Sequence, residues 1–180
     1  MKNIIITLFI ALGSIAVQAQ EIKWMTLDEA LKAQEKKPKK IFMDVYTDWC
    51  GPCKMLDKNT FQNKDVADFI NKNYYAVKFN AEGNQEVTYK GKKFGNPSYD
   101  AKRTGRNSMH DLTQALKVNG YPSMVFFDEK GEYIFPLVGY YTPTQIEIYL
   151  KVFAKDKHKE LTSKELWEKY QASFKNEFKS

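Results

Sequence analysis

The chain has 180 residues, 28 Lys and Arg against 22 Asp and Glu, a formal net charge of +6 and only two cysteines. That length suits one domain with a proper core, and two cysteines cannot supply the several bridges of a disulfide-stapled scaffold. The basic residues are mixed with acids throughout and form no concentrated face with a reading element, which argues against nucleic-acid binding and leaves a solvated surface with weak attraction to acidic partners or anionic lipid heads.

Residues 1–19 read as a signal peptide: Lys2, an almost wholly apolar run from Ile4 to Val17, and a small residue at Ala19. The run is short for a bilayer span. Cleavage after Ala19 is expected, leaving 161 of the 180 residues as an exported, periplasmic or secreted protein not integral to the membrane. An uncleaved N-terminal anchor is the alternative.

Met25 to Leu31 opens a helix, with Thr26 and Glu29 in a capping-box pattern and Met25 placed to staple onto Ala30. The charged turn 36–40 ends it. Ile41 to Tyr46 reads as a buried strand, apolar except Asp44. A helix is predicted from about Cys50 to Asn59, and Asn63 can cap a second one containing Val66, Phe69 and Ile70. Tyr75 to Asn80 is the next strand. Ser123–Asp128 and Tyr133–Val138 flank Glu129-Lys130-Gly131, a hairpin signal. Thr142 and Pro143 start a helix carrying Ile146, Ile148, Tyr149, Leu150 and Phe153. Strands mixed with helices on both faces give an α/β sandwich.

Two segments depart from that plan. Residues 82–109 form a loop-rich insert, with Val87, Tyr89, Phe94 and Tyr99 as its large apolar residues and Lys90, Lys92, Lys93, Lys102, Arg103 and Arg106 as its bases. Loops this long are functional or disordered more often than not, and the insert reads either as surface decoration or as a flap that selects clients. In the tail, residues 155–180, Leu161, Thr162 and Glu165 suggest another staple and capping box. Leu166, Trp167, Tyr170, Phe174 and Phe178 fall on one helical face, to pack on the parent domain or to meet a partner or a membrane surface.

Trp49-Cys50-Gly51-Pro52-Cys53-Lys54 carries the chemistry. A strand running into Cys-x-x-Cys at a helix N-terminus favours a thiolate on the first cysteine, and the second is placed to attack any mixed disulfide the first one makes. Cys50 is therefore the expected nucleophile, partly exposed beside Trp49, and Cys53 the more buried resolving thiol. Half a zinc site would need two further ligands. Only His110 and His158 remain, isolated and read as ordinary surface residues, so no metal is expected. A structural bridge closing so short a loop would constrain the unfolded chain little. Pro52 suits a first helical turn.

The hexapeptide matches the redox motif of the thioredoxin superfamily, and the chain resembles that family over about residues 24–81 and 110–152. Thr60-Phe61, Asn63-Lys64-Asp65-Val66 and Pro122 to Asp128 resemble most the C-terminal thioredoxin-like domain of transmembrane thiol-disulfide interchange proteins, and also small secreted thioredoxin-like proteins. The resemblance implies a thioredoxin-like fold over residues 20–154, a central mixed sheet flanked by helices, with the 82–109 insert and a helical extension over 155–180. It implies a buried acid at Asp44, its neighbouring lysine at Lys78, supporting roles for Trp49, Gly51 and Pro52, the cis-proline loop at Tyr121-Pro122 as a substrate-binding edge, and a strand-end glycine at Gly139. Burial would raise the Asp44 pKa, letting it accept the Cys53 proton.

The function so implied is an exported thiol-disulfide oxidoreductase reducing protein disulfides. It would be a monomer that needs no cofactor beyond the Cys50–Cys53 couple and is recharged by a membrane dithiol donor. An oxidase or isomerase, or a thioredoxin-like binding module without turnover, are the alternatives.

Overall fold

Thr26 ends the extended entry of the chain and starts its first helix. Its side chain accepts the Glu29 N–H, and the Glu29 carboxylate accepts the Thr26 N–H, completing the expected capping box. The computed structural model describes residues 21–180, so the signal-peptide reading lies outside the described residues. The elements in order are β1 (Trp24–Met25), α1 (Leu27–Lys36), β2 (Lys40–Tyr46), α2 (Gly51–Leu56), α3 (Lys64–Asn73), β3 (Tyr74–Asn80), β4 (Val87–Tyr89), β5 (Lys92–Phe94), α4 (Asp111–Ala115), β6 (Ser123–Phe127), β7 (Tyr133–Val138), α5 (Pro143–Ala154) and α6 (Lys164–Ser173). Asn63 caps α3 and Thr142 caps α5, as their sequences indicate. Among the described residues no helix is long and apolar enough to cross a membrane.

Five strands form one mixed sheet in the order β1-β3-β2-β6-β7, the first three mutually parallel, β6 antiparallel to β2, and β7 antiparallel to β6. Successive side chains on a strand point to opposite faces. Ile41, Met43 and Val45 of β2 therefore join Val77, Phe79, Val125 and Phe127 under α1 and α4. Phe42 joins Leu56, Phe61, Ile70, Met124, Phe126, Ile146 and Leu150 under α2, α3 and α5. Asp44 shares the parity of Phe42 and so faces α2.

The active-site helix runs past its expected end at Asn59. After α2 it widens into a π turn, Asp57–Phe61, where the Gln62 N–H reaches back five residues to the Asp57 carbonyl. Single π turns of this kind recur at functional sites. This one drops Phe61 into the core and brings Thr60 Oγ1 to donate to the Tyr141 carbonyl at 2.6 Å.

The insert is not a single loop. β4 and β5 pair as a hairpin whose Val87, Tyr89 and Phe94 are buried in the core on the α1 side, with Tyr89 Oη donating to the Gly131 carbonyl. Residues 82–86 lead into the hairpin without regular structure, and the second part, residues 96–108, is loop, where Tyr99 is exposed.

His110 is fully buried, not a surface residue. Its Nδ1 accepts the Leu112 N–H at the start of α4, its Nε2 meets the Gln85 carbonyl at 2.7 Å, and its ring sits edge-on to Phe79. His158 is half-buried against Phe153.

The tail packs on the parent domain, though not as one helical face. Ser163 rather than Thr162 caps α6, with its Oγ accepting the Leu166 N–H. The helix stops at Ser173, so Phe174 and Phe178 lie beyond it. Beyond the helix, Glu147, a fully buried carboxylate on α5 that pairs with Lys151, accepts the N–H groups of Glu177 and Phe178. These bonds anchor the last residues to α5, and Phe178 packs edge-on to Phe69. Trp167 stacks on Tyr149, while Leu166 faces solvent.

Burial of the hairpin gives a direct check. Phe94→Ala should lower the unfolding free energy by about 3 kcal/mol in urea titrations. Tyr99→Ala, at the exposed loop tip, should change it by less than about 0.5 kcal/mol. Small, equal losses would place the hairpin outside the core.

Candidate active site

β2 delivers the chain to the site and a tight turn receives it. The Cys50 N–H donates to the Thr47 carbonyl, and Cys50 then serves as N-cap of α2, its Sγ accepting the Cys53 N–H at 3.1 Å. Pro52 occupies the first turn, where a missing N–H costs nothing. A Cβ on Gly51 would meet open space, so Gly51 is not required there for room. Cys50 and Cys53 are joined as a disulfide with Cα atoms 5.3 Å apart. The expected exposure is reversed: Cys50 is 2% exposed and Cys53 7%. Both cysteines are buried in this oxidised state.

Beneath α2, Asp44 is 3% exposed. The parallel register of β2 and β3 sets it opposite Lys78, whose Nζ lies 3.5 Å from Asp44 Oδ2. Lys78 is ion-paired more closely with Asp57 on the π turn, and its ammonium also lies over the rings of Trp24 and Tyr46. Among the described residues Asp44 Oδ1 has no hydrogen-bond partner. Burial pushes the Asp44 pKa up to about 7; the Lys78 charge pulls against that shift and the Asp57 charge adds to it. A carboxyl tuned to neutrality under a dithiol can take or give a proton at physiological pH.

Trp49 forms the side wall. Its Nε1–H donates to Glu82 Oε2 at 2.8 Å, its ring meets the edge of Tyr121 at 6.0 Å, and the Arg106 guanidinium lies 4.4 Å from its ring centre. The Tyr121–Pro122 peptide is cis, and the Pro122 carbonyl accepts the Gly139 N–H at 2.8 Å.

The structure thus groups the predicted residues into the Cys50–Gly51–Pro52–Cys53 turn, the Asp44–Lys78 pair below it and the Trp49–Tyr121–Pro122 wall. Sequence reasoning missed three neighbours. Asp57 lies four residues after Cys53, one helical turn on, a spacing that could have flagged it. Glu82 lies two residues past the end of β3. Arg106 has no sequence signal, because its place depends on how the 96–108 loop folds.

The family model for thioredoxin-like domains matches residues 27–154, and the chain belongs to that family. It is 26% identical over 124 residues to the thiol:disulfide interchange protein DsbD of Pectobacterium atrosepticum, covering 68% of this chain and 18% of that protein. The chain therefore spans less than a fifth of the length of that curated relative. Among solved structures, the DsbH oxidoreductase aligns with a TM-score of 0.57 at 16% identity, over 83% of this chain and 95% of that one, which bears on fold alone. A candidate disulphide-isomerase from Bacteroides thetaiotaomicron aligns with a TM-score of 0.53 at 28% identity, over 77% and 97%.

The raised Asp44 pKa has a stability consequence. Between the ordinary carboxyl value of 3.8 and about 7 the folded chain holds a proton that the unfolded chain has lost, so stability falls as pH rises through that window and stays low above it. Asp44→Asn removes the charged form. Its stabilisation should be absent below about pH 4 and grow to at most roughly 4 kcal/mol by pH 8, about three units at 1.36 kcal/mol each. Denaturation of the oxidised protein across that range checks this, and a gain independent of pH would mean that Asp44 is not the titrating group.

Proposed function

We propose that this thioredoxin-like protein is an exported thiol-disulfide oxidoreductase that reduces protein disulfides. One observation carries the reading: a cystine whose first sulfur caps a helix over a buried carboxylate tuned to about pH 7. A non-catalytic binding module would have no use for that combination.

In the reduced protein the Cys53 N–H and the helix N-terminus stabilise a Cys50 thiolate. The thiolate attacks one sulfur of a client disulfide. A Cys50–client bond forms, and the client's other sulfur leaves as a thiolate. Cys53 gives its proton to Asp44 and attacks the Cys50 sulfur. The Cys50–Cys53 bond forms, the second client sulfur departs, and two electrons have passed to the client. The client thiolates take protons from Asp44 and solvent. Lys78 limits the cost of charge on Asp44 during transfer, and Tyr121-Pro122 offers an edge to the client backbone.

The chain leaves this cycle oxidised and needs two electrons from a dithiol donor. Similarity to an interchange protein supports a membrane dithiol carrier in that role, and the apolar residues 4–17 support export. We further assign residues 20–154 to the catalytic domain, acting as a monomer. The isomerase reading draws on the 28% identity to the Bacteroides protein. It predicts a higher potential and activity in refolding scrambled ribonuclease.

Two measurements test the proposal. Cys53→Ser should accumulate mixed disulfides with exported proteins, while Cys50→Ser should trap few or none; equal trapping overturns the assigned roles. Equilibration with glutathione buffers should give a potential below about −180 mV, the isomerase-like region. A value well above it would sink the reductase direction.

A further inference from the structure

The 96–108 loop is built rather than loose. Asn96 Nδ2 donates to the Gly83 and Ser108 carbonyls, Asn107 Nδ2 donates to the Asp100 carbonyl, and Asn107 Oδ1 accepts the Asp100 N–H. Glu82 fastens the loop to the active site, since its Oε2 takes both the Trp49 Nε1–H at 2.8 Å and the Asn107 N–H at 2.7 Å. That bracket sets the exposed Arg106 guanidinium over the ring of Trp49, the residue next to Cys50. Arg103 lines the polar cleft of about 240 Å³ between the loop and Trp49.

The hydrogen-bonding capacity in this region is unevenly spent. Glu82 holds two N–H donors, Asp48 accepts from Asn80, and Asp100 accepts the Lys102 N–H. Among the described residues neither Arg103 nor Arg106 is ion-paired with a carboxylate. An arginine on an aromatic face keeps its N–H edge free, and that fork matches a carboxylate with two parallel hydrogen bonds. A client whose sulfur reaches Cys50 must run past Trp49, which brings the side chains flanking its cysteine to this edge.

We propose that Arg106, with Arg103 beside it, is a specificity-determining residue that reads a carboxylate on the client next to its disulfide. The inference rests on the oxidoreductase reading above. Lys102, Arg103 and Arg106 are balanced by Asp48, Glu82 and Asp100, so discrimination comes from direct contact rather than from a long-range field.

The test uses the reduced protein and disulfide peptides of one length that differ only in the residue beside the cysteine: Glu, Gln, or Gln with the Glu moved four positions away. Exchange rates are followed by stopped flow, with hydroxyethyl disulfide as a neutral control. The Glu peptide should react about fivefold faster than the Gln peptide, the scale of a well-placed exposed ion pair, and the displaced Glu should give no advantage. Arg106→Gln should bring the ratio within twofold, with the Glu-peptide rate falling more than the Gln-peptide rate. Arg106→Lys, which keeps the charge but loses the fork, should do the same. Lys102→Gln, an equal loss of charge away from the Trp49 ring, should keep the preference. Equal Glu and Gln rates in the unaltered protein, or a preference that survives either Arg106 variant, overturns the inference alone. Failure to exchange with hydroxyethyl disulfide overturns the oxidoreductase reading and this inference with it.

Discussion

Side chains on β2 alternate between two buried faces, and the strand's length fixes which face each one takes. Ile41, Met43 and Val45 fill the α1 side, while Phe42 and Asp44 point to the side that α2 covers. Because the same strand feeds directly into Cys50, the cystine and the carboxylate are set by a single register. A slip of one residue would exchange the faces, placing Asp44 among Val77 and Phe79 and away from Lys78. Register with β3 then supplies the lysine opposite Asp44. The chemistry of the site therefore follows from strand parity before any loop is placed.

That arrangement costs stability, and the cost falls on the face best able to bear it. Around Phe42 the rings of Trp24, Phe61, Tyr74 and Phe126 pack with centroids 5.5–6.4 Å away. Tilted and edge-on pairs contribute about 0.5–1.5 kcal/mol each beyond area burial, enough together to offset one buried acid. Lys78 does not neutralise Asp44 fully, because the π turn presents Asp57 as a closer partner. Asp57 itself continues α2 regularly, its N–H bonded to the Cys53 carbonyl, and the widening falls after it. The Lys78–Asp57 pair thus helps keep the Asp44 pKa near neutrality instead of letting a tight Asp44–Lys78 pair depress it.

Much of this was legible in the sequence for physical reasons. Capping side chains at Thr26, Asn63 and Thr142 announce their helices because the signal is local. The strand carrying Asp44 is apolar enough to be read as buried, and Cys-Gly-Pro-Cys specifies its own turn. What escaped depends on distant partners. Val87, Tyr89 and Phe94 looked like scattered residues of a loop, since three-residue strands carry little periodicity. His110 has no local mark of burial; its ring is needed only because the Gln85 carbonyl and the start of α4 converge there. The apolar spacing of 166–178 suggested one helix, but the helix ends at Ser173 and the residues after it are held by Glu147, some thirty residues upstream.

The accessory segments share a mode of attachment. Asp28 accepts the Thr88 N–H and ties the hairpin to α1; Glu82 accepts the Asn107 N–H and ties the loop to Trp49. Glu147 accepts two N–H groups of the tail, and Asp65 accepts that of Lys179. A carboxylate has lone pairs for several donors, so each of these acids joins segments far apart in sequence. In composition they are indistinguishable from solvated surface charge. Asp44 differs in the respect that matters for chemistry. Among the described residues no backbone N–H reaches it, and one of its oxygens has no partner. Without such donors Lys78 alone favours the charged form against burial and does not outweigh it, and the acid that anchors no segment is the one poised to exchange a proton.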